Sequence, residues 1–154
     1  MFDNNTLVND FAQTFYRCDG LTGSIPSGLF NNNPSVTIFS QTFYGCNGLT
    51  SIPSGLFDNT SSVGNFNGCF DGCTGLTSSF APELWNMFPG IVGANCANCF
   101  KDDTLLTNYY DIPETWGGPA VSSSSSIDSS SSSSIDSSSS SSIDSSSSSS
   151  SSLI

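Results

Sequence analysis

The chain has 154 residues, 13 acids against two bases, no histidine and a net charge of −11. Without histidine it can hold no Ser-His-Asp triad, Cys-His dyad or His-ligated metal of its own, and Arg17 and Lys101 are too few to neutralise nucleic-acid phosphates or grip an anionic membrane. From Ser122 to Ser152 run 31 residues, 25 of them Ser, which leaves residues 1–121 to build one core.

Taken from the front, MFDNNTLVND is acidic and polar, with neither the basic nor the apolar region of a signal peptide. No stretch approaches the length of a spanning helix, so no membrane insertion is expected. Met1-Phe2-Asp3-Asn4 matches Leu29-Phe30-Asn31-Asn32, so the chain is expected to open in the middle of a repeat.

The repeat is the main signal. Val8, Phe11, Phe15, Cys18 and Leu21 return as Val36, Phe39, Phe43, Cys46 and Leu49, then as Val63, Phe66, Phe70, Cys73 and Leu76. The steps are 28 and 27 residues, and Ser-Ile-Pro-Ser-Gly-Leu-Phe recurs at 24–30 and 51–57. Within a unit, Val36, Phe39, Phe43 and Cys46 lie at i, i+3, i+7 and i+10, which predicts a short helix. Leu49 and Ile52 predict a short strand closed by Pro53. After Leu76, Phe80 and Pro82 stand in for Ile-Pro. A fourth, degenerate unit at 92–117 carries Val92, Cys96, Phe100, Asp103 and Leu106, and Trp85 and Trp116 close the last two units as a cap. The expected architecture is an α/β repeat of about four stacked 27–30-residue units over residues 1–121. The core ladder is Phe15, Phe43 and Phe70, Cys18, Cys46 and Cys73, and Leu21, Leu49 and Leu76. Beyond it, Ile127-Asp128, Ile135-Asp136 and Ile143-Asp144 recur in serine, and 122–154 is expected to be a disordered Ser-rich tail.

The pattern F-x3-F-x2-C-x2-L-x2-I-P resembles the leucine-rich repeats of BspA-like bacterial surface antigens. It is carried by Phe15, Cys18, Leu21, Ile25 and Pro26, and by Phe43, Cys46, Leu49, Ile52 and Pro53. The resemblance implies a leucine-rich-repeat solenoid with a short-strand sheet on one face. It also implies a non-enzymatic adhesion or binding role outside the cell or at its surface.

Several residue groups carry chemistry worth weighing. Cys69-x3-Cys73 with Cys96-x2-Cys99 has the look of two zinc half-sites, yet the register points these residues into the core. No metal and no cofactor are expected. Cys69 and Cys99 share a slot in successive units, close enough to form a disulfide if those units stack. The Asp and Asn turns read as turn chemistry rather than calcium sites, and Asp102, Asp103, Asp111 and Glu114 as solvated surface. Tyr16 and Tyr44 occupy equivalent outward positions and are the candidate binding stripe. The function expected is a surface-exposed binding or adhesion module on a serine-rich stalk, its partner a protein or glycan on another surface. The alternative is a structural or assembly component of a phage or cell-surface appendage, self-associating through the open first unit.

Overall fold

The computed structural model describes residues 1–122, so the Ser-rich tail beyond Ser122 lies outside the described residues. Met1–Val121 form one compact unit.

Regular elements are sparse. Strand β1 (Gly23–Ser24) pairs in parallel with β2 (Leu49–Ser51), with Gly23 opposite Leu49 and Ser24 opposite Ser51. Helix α1 (Leu84–Met87) is a single turn, and 3₁₀ turns lie at Gly93–Asn95, Tyr109–Asp111 and Glu114–Trp116. Isolated parallel bridges join Asp10 to Ile38 and Ile38 to Asn65.

What joins the units is a ladder of backbone hydrogen bonds. The N–H groups of Phe11, Gln13, Phe15 and Arg17 donate to the carbonyls of Ile38, Ser40, Thr42 and Tyr44 at 2.7–3.0 Å. Phe39, Gln41, Phe43 and Gly45 donate in the same way to Asn65, Asn67, Cys69 and Asp71. Phe66, Gly68, Phe70 and Gly72 then reach Asn95, Ala97, Cys99 and Lys101. Equivalent residues therefore lie in register from unit to unit.

This ladder explains why no helix forms at 36–46, where the apolar spacing predicts one. An α-helix turns every N–H along its own axis and leaves none for a neighbour. Here alternate N–H groups point at the next unit, while those between close four-residue turns, such as Thr14 to Phe11 and Cys18 to Phe15. The turns need a left-handed residue at fixed slots. Gln13, Gln41, Gly68 and Asn98 fill one, and Arg17, Gly45, Gly72 and Asp102 the other, all with φ between 53° and 74°.

The core is a set of aromatic columns. Phe15, Phe43, Phe70 and Phe100 stack at 5.2–5.5 Å between ring centroids, tilted by 10° or less. Phe11, Phe39 and Phe66 stack at 5.8 and 5.7 Å, and Phe2, Phe30 and Phe57 at 6.2 Å. Near-parallel rings at such spacing suit aromatic quadrupoles as well as area burial. Cys46, Cys73, Leu49 and Leu76 are buried between them. Phe15, Cys18 and Leu21 are only partly buried, because they belong to the first unit.

Three assignments change. After Leu76 the slot beneath Ile52 belongs to Ser79, whose hydroxyl accepts the Ile52 N–H at 2.8 Å, and Phe80 is 63% exposed. In the fourth unit Ile91 is buried and Val92 is 70% exposed, since the longer connection shifts the chain by one residue. Asp103 is buried rather than solvated. At the far end the Trp116 carbonyl receives the Phe100 N–H at 2.9 Å, the bond that a further unit would take.

Candidate functional site

The outward residues of the turn segments meet on one surface. Tyr16 and Tyr44 follow the inward Phe15 and Phe43, and the 28-residue register lays one ring on the other at 4.9 Å and 8°. Tyr16 is 39% exposed, and Tyr44 is half-buried. The Arg17 guanidinium carbon stands 6.0 Å from the Tyr16 ring centroid, at the outer edge of cation–π range. The Tyr slot becomes Asp71 and Lys101 in the later units, so the aromatic stripe has two rings and then turns polar.

Beside the tyrosines lies a polar groove of about 350 Å³ lined by Arg17, Asp19, Tyr44, Asn47, Asp71 and Asp102. Its floor is backbone, because Gly45 and Gly72 fill the left-handed slots there. Asn47 donates to the Asp19 carboxylate at 3.4 Å and accepts from the Thr74 hydroxyl at 3.2 Å, a chain of side chains running along the stack. Burial pushes the Asp71 carboxyl above its ordinary range, with Lys101 opposing and Asp102 adding to the shift. An aromatic face flanked by carboxylates, an amide and a guanidinium can stack on an apolar surface and hydrogen-bond hydroxyls or amides. A nucleophile poised beside a base is not among these groups.

The cysteines serve packing. All six are unbridged. The Cys46 thiol donates to the Phe15 carbonyl and the Cys73 thiol to the Phe43 carbonyl, both at 3.0 Å. Cys69 and Cys99 are fully buried in adjacent units, joined by the bond from the Phe70 N–H to the Cys99 carbonyl at 2.8 Å. Burial raises both thiols well above their ordinary value. Among the described residues no group of three or more Cys, Asp or Glu side chains is arranged to hold a metal. The Asn turns bond to protein. Asn33 donates to the Asn5 carbonyl at 2.8 Å and Asn32 to the Asp3 carboxylate at 3.2 Å.

Asp103 is the residue that composition hid. It is 1% exposed, neither carboxyl oxygen has a hydrogen-bond partner, and burial pushes it up to about 9. The signal was in the repeat, since Asp103 continues the column of Cys18, Cys46 and Cys73. Asp102, Asp111 and Glu114 are exposed, as solvated acids are.

Among the described residues no helix is long and apolar enough to cross a membrane. No protein-family profile, no curated protein and no solved structure matches this chain.

Proposed function

We propose that the chain is a non-catalytic binding module of the leucine-rich-repeat solenoid class, similar to BspA-like surface antigens. Its ligand is a protein or glycan on another surface, and its place is outside the cell or at the cell surface, with the serine-rich segment as a stalk. The observation that carries this reading is the Tyr16–Tyr44 stack beside the polar groove of Arg17, Asp19, Asn47 and Asp71. A preassembled pair of rings offers flat apolar area at little entropic cost, and binding hot spots favour Tyr and Arg. The ladder of in-register hydrogen bonds and the Phe columns support the solenoid class.

The test is a glycan array and a panel of immobilised extracellular-matrix proteins, probed with the full chain and with Tyr44→Ala. Binding that falls by about tenfold or more in the variant, with an unchanged melting temperature, supports the reading. Binding that survives both Tyr16→Ala and Tyr44→Ala rejects it.

A further inference from the structure

Asp71 carries a carboxyl group that the described residues leave unpaired. The residue is only 9% exposed, it lines the polar groove, and its side chain makes neither a hydrogen bond nor an ion pair among the described residues. The Asp103 oxygens are sealed inside the core, whereas those of Asp71 keep contact with the groove. A carboxylate so deeply set is costly until a donor reaches it, and burial accordingly raises its pKa. Lys101, the next residue in the same column, is not that donor. Its ammonium stands 4.0 Å from the Asp102 carboxylate, and both of those side chains are more than half exposed.

The surroundings of Asp71 leave room for a flat cation. Tyr16 stacks on one face of the Tyr44 ring, and the repeat register puts Asp71 where a third ring would cover the other face. The two side chains are neighbours, since a Cβ on Gly68 would lie 3.8 Å from the Asp71 Cβ and 3.9 Å from the Tyr44 Cδ2. The adjoining column runs Arg17, Gly45, Gly72, Asp102, so two units of bare backbone separate a guanidinium from a carboxylate. A Cβ on Gly72 would meet only the Gly45 Cα, at 4.0 Å. Asp19, Asp71 and Asp102 set three carboxylates against the one guanidinium. They are not arranged to hold a metal ion, which leaves an organic cation as the fitting occupant. With 13 acids against two bases, the whole chain draws basic partners towards this surface.

We propose that the groove receives an arginine side chain from a basic segment of a partner protein, its guanidinium on the Asp71 carboxylate and its plane against the free face of Tyr44. A guanidinium suits this place better than an ammonium. It is planar, stacks on aromatic rings, is less tightly hydrated, and presents a fork of donors to a carboxylate. Pairing it with a carboxylate that water barely reaches gives the shorter, stronger class of hydrogen bond. Asp102 adds attraction at the far end, while Arg17 repels a second cation at the near end, so the incoming side chain seats towards the third and fourth units. The inference rests on the reading of this surface as a protein-binding site and names the group recognised there.

The experiment titrates the full, isotope-labelled chain with the peptide acetyl-Gly-Arg-Gly-Arg-Gly-amide and follows the amide resonances of Gly45 and Gly72 on the groove floor. Both should shift and saturate. Replacing each arginine of the peptide by citrulline, which keeps the shape and removes the charge, should weaken binding by about tenfold or more, and lysine should bind more weakly than arginine. Asp71→Asn should weaken the arginine peptide by a similar factor without lowering the melting temperature, because it keeps the shape and removes an unpaired buried acid. Absence of saturable shifts at Gly45 and Gly72 in the folded wild type overturns the inference, as does equal binding of the citrulline or lysine peptide, or binding that Asp71→Asn leaves intact. On the glycan array and the matrix-protein panel, binding that Tyr44→Ala removes and Asp71→Asn spares would overturn this inference alone and leave the tyrosine surface as a binding site.

Discussion

Asp103 shows how one side chain can set a pH dependence for the whole fold. Its carboxyl stays protonated in the folded chain up to about 9, whereas its ordinary value is 3.8. Below pH 4 both states hold the proton and Asp103 costs nothing by ionisation. Between those values only the unfolded state releases it, so stability falls as pH rises, by up to about 1.4 kcal/mol per pH unit. Denaturant melts between pH 5 and 8 should reveal this slope, and Asp103→Asn should flatten it. Asp103→Cys should be more stable than the wild type at pH 8, because a thiol in this column donates to the preceding Phe carbonyl as Cys73 does. Cys69 and Cys99 are the second residue-scale case. Their buried thiols yield little thiolate, so oxidation in the native state should be slow. After refolding in an oxidising buffer, non-reducing peptide mapping should find these two joined; Cys69 bridged elsewhere would reject the pairing.

The turn segments lie between residue and fold, and their behaviour follows from the left-handed slots. Gln41 holds φ at 54° without glycine's freedom. Gln41→Gly should therefore raise stability, by about 1 kcal/mol net of the entropy that glycine adds to the unfolded chain. Gly75→Ala should do the opposite, losing about 1–3 kcal/mol, because its Cβ has only backbone to displace. Urea titrations of both variants would check the signs. The columns were legible in the sequence, because Phe, Cys and Leu recur at one register. The local conformation was not. A spacing of three, four and three residues fits both a 3.6-residue helix and successive four-residue turns, and no glycine marks the turn at Gln13, Arg17 or Gln41. The Tyr16–Tyr44 pair was legible for the same reason as the columns, whereas the groove beside it is assembled from four units and shows in no single stretch. Phe80 and Val92 match the pattern by size or type yet point to solvent, and the buried side chain in each case is the residue just before, Ser79 or Ile91.

At the scale of the molecule, the core is continuous across units that could not bury their apolar faces alone. Phe43 sits mid-column, stacked between Phe15 and Phe70 and almost wholly buried. Phe43→Ala should cost about 3–5 kcal/mol, as a cavity there interrupts a column rather than one contact. A thermal melt matching the parent would show that the column does not carry the stability. Phe15→Ala should cost less, since its ring belongs to the partly covered first unit.

The backbone ladder has a mechanical consequence. The first three units spend their outward N–H groups on the unit immediately following, and these bonds lie in series along the stack. A load applied between the first unit and the fourth is carried by each junction in turn, so the weakest junction yields first and its neighbours stay shut. Pulled from its two ends, the protein should lengthen in discrete steps, each releasing one unit of 27–30 residues. At about 3.5 Å per extended residue, a step is about 10 nm of contour length. A single-molecule force trace with that sawtooth would mark the molecule as an extensible tether, and one rupture releasing the whole length at once would show that the junctions fail together.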